Sequence, residues 1–395
     1  MKLLIIWRGF PSPMHPSLAR PFFLHKHSDH EIAFVFFSNN KTLENGCVTN
    51  NLLRFETIEV KKTKLEYALS LKNKLTYQNL FLSKDFNIFH NYVPKMREKI
   101  LGILETEQFD VIYADYLMRP YIYNLNIKIP VVLDFPSPTL FWLHQLYLNE
   151  TISIRKMQKL FQYSMFKLFE APRFKRFDAG IYVTTIHKEL SEPFTPKKKF
   201  IIPPGVDIDY FNPSGDDTNS NIIVFFGDMS YPFNVYSIRH FCKNVYPLIR
   251  KEIPDVTLYI VGRNPSHDVL GLASKDHSIS VTGEVADIRP YVNQAQVVIL
   301  PFIISDGGLK TKALEAMAMG KAIVSTSIGM QGIKSCTDEV IVTADSEKSF
   351  AEAVINLLCD CHRRKRLGDN ARKFVEEHYS WKTLTTILNK AFESV

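Results

Sequence analysis

Residues 297–325 read VVIL-PFIISDGG-LKTKALEAMAMG-KAIVS, a pattern that indicates the class of fold. Two short apolar runs, Val297–Leu300 and Ala322–Ser325, predict buried strands, and the Ala, Met and Leu residues of 309–319 predict a helix between them. Strands joined through helices form parallel sheets that helices cover on both faces. The stretch therefore predicts an α/β fold.

The same alternation of strand and helix signals extends over residues 222–360, with a single helix predicted over 235–251 and a strand over 340–342. Three of the predicted strands end at a glycine, namely Gly227, Gly262 and Gly283. Glycine lets the backbone approach a ligand closely, and open α/β sheets bind ligands at the carboxyl edge of their strands. We therefore expect a ligand site at this edge of the second half.

The first half repeats the pattern, with short apolar or β-branched runs recurring up to residue 202. The polar run 214–221, rich in Ser, Gly, Asp and Asn, is the best domain boundary in the sequence. A chain of 395 residues has room for two or three domains at ~150 residues each. We expect two copies of one α/β architecture.

The composition is that of an ordinary globular protein, with 46% apolar and 23% charged residues, which excludes a disordered chain. The five cysteines have no disulfide-framework spacing, which favours a reducing compartment. The apolar run 3–7 is too short for a signal peptide or a membrane span, so a cytoplasmic protein is expected. The cluster Cys359-Asp360-Cys361-His362 lacks a second group of ligands, so no metal site is expected.

The net charge of +7 is unevenly distributed. Residues 1–205 hold 28 Lys and Arg against 18 Asp and Glu, whereas residues 206–395 hold 20 against 23. Each basic cluster alone is typical of a solvated helix face, but together they favour an anionic partner: a membrane surface, a phosphorylated acceptor or nucleic acid. Because the basic half shows no stacking motif or recognition helix, nucleic acid is not expected as a partner.

The loop after the strand Val297–Leu300 contains the residues most suited to binding a ligand. Gly307 and Gly308 at a helix start leave backbone N–H groups accessible, which is typical of a phosphate-binding loop. Lys310 and Lys312 lie in the first helical turn, where the helix dipole disfavours a cation unless an anion binds there. The loop matches neither a nucleoside-triphosphatase nor a nicotinamide-binding fingerprint. Glu315 lies further along the helix, where it could bind the hydroxyls of a ribose or simply face solvent.

These residues resemble the donor-site signature of the retaining GT-B glycosyltransferases of family 4, over residues 307–325. Further blocks match in the same order, namely 202–207 (IPPGVD), 226–234 (FGDMSYPFN), 261–265 (VGRNP), 282–287 (TGEVAD) and 379–381 (YSW). The resemblance covers nearly all of residues 200–395. Over 1–199 it is weaker and depends on 178–183 (DAGIYV) and the order of the strands.

The resemblance implies the GT-B architecture, two Rossmann-like domains that face each other across a cleft. It assigns residues 1–205 to an acceptor-binding domain, 206–378 to a nucleotide-sugar-binding domain, and 379–395 to a helix that packs back on the first domain. The implied activity is retaining transfer of a sugar from a nucleoside diphosphate, most often UDP, to a saccharide or lipid-linked acceptor in surface polysaccharide or glycoconjugate biosynthesis. The sugar nucleotide is the donor substrate, so no separate cofactor is expected.

The family's site residues can be transferred to matching positions of this chain. Gly307, Gly308 and Lys312 would hold the diphosphate with the help of Lys310, and Glu315 would bind the ribose. Transfer would depend on Glu315, Lys310 and Lys312. The other expected contacts to the donor or its sugar are Gly227, Gly283, Leu309, Arg263 and Val285 near the base, and Gly9 in the first half.

Two departures from the family pattern leave a second hypothesis open. Gly307 occupies a position where relatives often carry a Glu, and the loop after Gly227 lacks the Arg and Lys found in many of them. The alternative is therefore a catalytically weak nucleotide-sugar-binding partner subunit of a glycan assembly complex.

Two features of the first half have two interpretations each. Asp134 ends a predicted strand and is either a polar contact in the cleft or a cap of the loop before Pro136. Residues 152–177 alternate apolar and basic side chains, with seven Lys or Arg and one acidic residue. They form either a core-facing helix with a solvated basic face or a helix at the surface of an anionic membrane, which would make the protein peripheral to the inner face of the cell membrane.

Overall fold

The structure is a computed structural model that describes residues 1–9, 16–38, 52–59, 94–123, 125, 127–136, 138–148, 153–214, 220–305, 308–334 and 337–395. The chain divides into two compact units, Met1–Pro203 with Thr385–Val395, and Pro204–Leu384. Each unit contains one parallel sheet with helices, so the predicted α/β class is confirmed.

The sheet of the first unit is built from strands β1 (Lys2–Trp7), β2 (Glu31–Ser38), β3 (Leu52–Glu59), β4 (Val111–Asp115), β5 (Val131–Phe135), β6 (Ala179–Tyr182) and β7 (Lys198–Ile201). All described pairs are parallel, in the order β3-β2-β1-β4-β5-β6-β7. The helices are α1 (Pro16–His27), α2 (Pro94–Thr106), α3 (Thr139–Leu148), α4 (Ile154–Met165) and α5 (Thr185–Ser191). Short 3₁₀ turns span Tyr116–Tyr121 and Ala171–Arg176, and a wider π-type turn, Phe166–Glu170, continues α4.

The sheet of the second unit is built from β8 (Ile222–Phe226), β9 (Thr257–Val261), β10 (Ile279–Gly283), β11 (Val297–Leu300), β12 (Ala322–Ser325) and β13 (Val342–Thr343). They pair in parallel in the order β10-β9-β8-β11-β12-β13. The helices that follow α5 are α6 (Pro232–His240), α7 (Tyr246–Glu252), α8 (His267–Lys275), α9 (Arg289–Gln294), α10 (Thr311–Ala318), α11 (Glu347–Cys359), α12 (Cys361–Tyr379) and α13 (Trp381–Glu393).

Burial explains why these strands read as uninterrupted apolar runs. Every residue of β4, β5, β11 and β12 is buried, as expected for a parallel sheet covered on both faces. The end of α13 joins the core of the first unit, where the ring of Phe392 lies 5.2 Å from that of Tyr113 and Asn389 Oδ1 lies 2.9 Å from His30 Nε2. No helix in the described ranges combines the length and the apolar character needed to cross a membrane.

Three predicted elements differ from those observed. The helix expected over 309–319 is shorter, because Lys310 precedes it as the N-cap and Gly320, with φ +65°, lies just beyond its end. The single helix expected over 235–251 is interrupted by a π-type turn, Phe241–Val245, after which α7 begins with a proline in its first turn. The strand expected over 340–342 lies at Val342–Thr343.

The sheet order fixes where a ligand can approach the second unit. β8 and β11 are neighbours, with β9 and β10 on one side and β12 and β13 on the other. The chain therefore reverses its direction across the sheet between β8 and β11. Helices leave to opposite faces at such a point, which opens a crevice outside the carboxyl ends of the two strands.

Candidate functional site

Two glycines at the carboxyl ends of β8 and β9 bring their loops into close contact. Gly227 has φ +145° and Gly262 has φ +150°, backbone conformations that other residues rarely adopt. A Cβ atom on Gly262 would lie 1.8 Å from the carbonyl oxygen of Gly227, and one on Gly227 would lie 2.4 Å from Nζ of Lys312. The ammonium group of Lys312 therefore lies against the backbone at the end of β8.

Aromatic rings and an amide surround that ammonium group. Lys312 Nζ donates a hydrogen bond of 2.9 Å to Oδ1 of Asn234 and lies 4.5 Å from the ring centroid of Phe225 and 5.3 Å from that of Phe302. Nζ of the buried Lys310 lies 5.1 Å from the same Phe302 ring. Two cations thus approach one ring next to the point where the strand order reverses. Cation–π attraction stabilises them there without neutralising their charge.

The start of α10 adds to this positive charge. Lys310 is the N-cap, with no side-chain capping hydrogen bond, and the first turn of the described helix contains no acidic residue. The N-terminus of a helix carries partial positive charge, which Asp or Glu commonly balances. With two lysines here instead, the site is suited to an anion.

Glu315 lies one turn further along α10, on the third residue after Lys312. Desolvation raises the pKa of Glu315 to about 7, and the positive charge of Lys312 opposes that shift only in part. A carboxyl group in this state changes its charge near neutral pH. In its ionised form it accepts hydrogen bonds, for example from hydroxyl groups.

The loop after Gly227 is organised around Asp228. Partial burial acts to raise the pKa of Asp228, but hydrogen bonds from the side chain and backbone of Ser230 and from Arg263 outweigh it and lower the pKa well below its ordinary value. Arg263 Nε lies 2.8 Å from Asp228 Oδ2, and its side chain is 61% exposed. The backbone oxygen of Asp228 accepts a bond of 2.8 Å from Asn234, which also holds Lys312. The predicted residues Arg263 and Lys312 are therefore linked through Asp228 and Asn234.

Four of the five remaining predicted donor residues lie in the described part of the second unit. Gly283 has φ +70°, and its carbonyl oxygen accepts a bond of 3.2 Å from the N–H of Gly262. Val285 and Leu309 are partly buried and pack against the core of the second unit. Gly308 is partly buried in the loop before α10, and Gly307 lies outside the described residues.

The first unit holds the other two predicted residues. Gly9 is partly exposed just after β1. Asp134, in β5, is buried, and its Oδ2 atom accepts a hydrogen bond of 2.5 Å from Tyr113 and forms an ion pair of 3.0 Å with Arg20. Arg20 also donates a bond of 2.6 Å to the carbonyl oxygen of Ile202. Tyr113 and Arg20, both in the first unit, are therefore partners of this carboxylate.

The structure shows site residues to which the sequence assigned no role. Asn234 is buried, and its amide bridges Lys312 and the loop of Asp228, while Phe225 and Phe302 supply the rings. Asn234 does lie inside one of the matched blocks, which is the signal that could have identified it. For the rings of Phe225 and Phe302, the sequence indicates nothing beyond apolar core positions. Across the described ranges, no group of three His, Cys, Asp or Glu side chains is placed to hold a metal ion.

The second unit, which holds most of these residues, resembles known proteins in sequence. Residues 220–360 match the family described as glycosyl transferases group 1. The chain is 26% identical over 322 residues to a glycosyltransferase of Methanocaldococcus jannaschii, covering 73% of this chain and 76% of the relative. It is 22% identical over 322 residues to a protein of the cps region of Klebsiella pneumoniae, covering 77% and 80%.

Solved structures show the same fold. The sucrose-phosphate synthase of Thermosynechococcus elongatus superposes with a TM-score of 0.67 at 14% identity, covering 100% of this chain and 99% of the other. Anabaena HepE in complex with UDP superposes with a TM-score of 0.66 at 14% identity, covering 100% of both chains. Both matches extend over the whole chain, so the GT-B fold that the sequence predicts is confirmed.

Proposed function

We propose that this chain, a glycosyltransferase with the GT-B fold, uses a UDP-sugar as its donor and retains the configuration of the transferred sugar. The proposed acceptor is a saccharide or lipid-linked saccharide in surface polysaccharide or glycoconjugate assembly. The proposal depends on the position of Lys312. Its ammonium group lies against Gly227, at the end of β8, where the strand order reverses between β8 and β11.

The chemistry of transfer explains why a cation is useful at that position. The bond between the anomeric carbon and the diphosphate oxygen breaks, and its electron pair goes to the diphosphate. A new bond forms to the acceptor oxygen, which loses its proton. Negative charge on the phosphate therefore grows in the transition state, so cations placed beforehand bind the transition state more tightly than the ground state.

The residues around Lys312 supply this stabilisation and orient the nucleoside. Lys310 and Lys312 add positive charge at the start of α10, and a phosphate oxygen would be a stronger, charge-assisted partner for Lys312 than the neutral amide of Asn234. Glu315, one turn away, would accept hydrogen bonds from the ribose. Phosphate and ribose are adjacent in a nucleotide, as these side chains are along the helix.

Two of the related proteins support the finer parts of the proposal. HepE was crystallised with UDP, which favours uridine as the base. The protein of the cps region of Klebsiella pneumoniae favours a polysaccharide product. Retention of configuration is proposed from the resemblance of residues 307–325 to retaining enzymes.

Calorimetric titration with UDP, GDP, ADP and CMP tests the donor site. We expect UDP to bind most tightly, and Lys312→Ala to weaken UDP binding by roughly 10- to 150-fold, the equivalent of one charge-assisted hydrogen bond at about 1.5–3 kcal/mol. Lys348→Ala is the matched control, because Lys348 is 85% exposed on α11 and pairs with Glu352 at 3.8 Å. Equal affinity of both variants for UDP would contradict the assignment of Lys312.

Turnover separates the enzyme from the partner-subunit hypothesis. Wild-type protein incubated with a UDP-sugar and acceptor saccharides should release UDP, and NMR of the product should show the anomeric configuration of the donor. A product with the inverted anomeric configuration would contradict the retaining mechanism but not the other parts of the proposal. Tight UDP binding with no release under any acceptor condition would favour the catalytically weak partner subunit.

A further inference from the structure

The helix α4 and the turn after it present apolar side chains to solvent. Met157, Leu160, Phe161 and Leu168 are 73%, 40%, 43% and 65% exposed. Their spacing places them on roughly one side of the helix. Leu146 and Leu148 of α3, which packs beside α4, are also exposed, at 40% and 51%. We call the four side chains of α4 and its turn the apolar stripe.

The stripe is not the side by which α4 joins the core. Phe166 and Phe174 are buried against the first unit, so the helix already has a core contact on another side. The interpretation of residues 152–177 as a core-facing helix with only a basic solvated face therefore accounts for part of the pattern. The exposed apolar side chains require a different explanation, because large exposed apolar patches mark interaction sites.

Basic side chains border the stripe. Nζ of Lys156 lies 5.4 Å from the ring centroid of Tyr147, and Nζ of Lys167 lies 5.6 Å from that of Tyr163. Residues 152–177 contain seven Lys or Arg and one acidic residue. Apolar side chains bordered by lysines and tyrosines are the composition of helices that lie in the plane of a membrane interface.

We infer that the apolar stripe and its lysines dock the first unit on an anionic lipid surface. The positive charge beside the stripe favours an anionic lipid surface over other partners. A second copy of the chain would bring two sets of basic residues together, whereas anionic headgroups attract each of them by about 1 kcal/mol, or roughly fivefold in partition. The apolar side chains then enter the boundary between headgroups and acyl chains. This inference does not depend on the donor chemistry.

Vesicle co-sedimentation tests the inference with the full chain. We expect binding to vesicles of phosphatidylglycerol and phosphatidylcholine, weak binding to phosphatidylcholine alone, and loss of binding as salt rises. The double variant Met157→Ser, Leu168→Ser should lower partition at least tenfold, since it removes two exposed apolar groups. Lys167→Glu should lower it by a similar factor on anionic vesicles only.

A control variant makes the result interpretable. Leu248 and Leu270 are 41% and 43% exposed on the second unit, so Leu248→Ser with Leu270→Ser removes exposed apolar surface outside the stripe and should leave partition unchanged. UDP titration and thermal unfolding check that each variant is folded, and a failure to bind UDP in the wild type would contradict the proposed function without affecting this test.

Two outcomes would overturn the inference. Equal binding to both kinds of vesicle in wild type and stripe variant would show that the stripe does not recognise anionic lipid. Concentration-dependent association in sedimentation velocity that the stripe variant abolishes, with no lipid binding, would show that a second copy of the chain covers the stripe instead.

Discussion

Replacing Glu315 by Gln tests whether the proposed ribose-binding carboxyl group destabilises the folded chain when it is ionised. Desolvation raises the pKa of Glu315 to about 7 in the folded chain, whereas the ordinary value is 4.5. The folded chain therefore binds the proton more tightly than the unfolded chain does. It follows that the free energy of unfolding falls as the pH rises from about 4.5 to about 7.

The size of the effect follows from the two pKa values. At ~1.36 kcal/mol for each unit of difference, the ionised carboxyl group lowers the free energy of unfolding by about 3 kcal/mol above pH 7. Glu315→Gln keeps the shape of the side chain and removes this dependence. We expect the variant to match the wild type near pH 4.5 and to melt several degrees higher at pH 8, at roughly 2–4 °C per kcal/mol for a unit of this size.

Calorimetric melting of both proteins between pH 4.5 and 8.5 measures the difference. The contributions of groups that titrate in both proteins cancel in this difference. Glu352→Gln makes the same chemical change at a side chain that is 60% exposed and is the matched control. The same Glu315→Gln variant should bind UDP more weakly than the wild type. A melting difference that stays constant with pH would refute the role of desolvation at Glu315.

Two further substitutions, the first with Gly271→Ala as its control, test close packing within each unit. Gly262→Ala should lower the free energy of unfolding by more than about 3 kcal/mol, because its Cβ would meet the oxygen of Gly227 at 1.8 Å, whereas Gly271→Ala, with no atom within 4 Å, should raise it by about 0.5–1 kcal/mol. Thermal melting measures both, and similar effects at the two positions would contradict the close approach of the loops. Asp134→Ala leaves Arg20 buried without its carboxylate and should cost about 3–5 kcal/mol in urea denaturation. A loss below about 1 kcal/mol would instead leave Asp134 available for a ligand.

Much of the fold could be predicted because local signals and tertiary structure agree in the second unit. Strands buried on both faces consist mainly of apolar residues. β8, β11 and β12 can therefore be recognised in the sequence as apolar runs. Helix ends were less predictable. The start of α10 depends on where Lys310 leaves the helical conformation, with φ −87° and ψ 98°, and a good helix-forming sequence does not show that.

The candidate site could be predicted as a set of residue types but not as a set of contacts. In the sequence, Lys312 and Gly227 belong to two motifs that are 85 positions apart. They come together because β8 and β11 are adjacent strands of the sheet. The charge state of Glu315 depends on the protein that surrounds it, which periodicity cannot supply. Asp134 was recognisable as a strand end, but its partner Arg20 comes from a helix with no sequence link to that strand.

The order of charges along α10 favours the proposed nucleotide ligand over a simple anion. Lys310 and Lys312 begin the helix with positive charge, where phosphate would bind, but phosphate alone gives no reason for a carboxyl group one turn later. Glu315 is desolvated enough to hold its proton up to about pH 7, so the unliganded chain is less stable above that pH than it would be with a neutral side chain. Hydroxyl groups beside the phosphate would donate to the ionised carboxylate and offset that cost. Phosphate followed by paired hydroxyls is the arrangement of a ribonucleotide, and α10 presents the complementary groups in the same order.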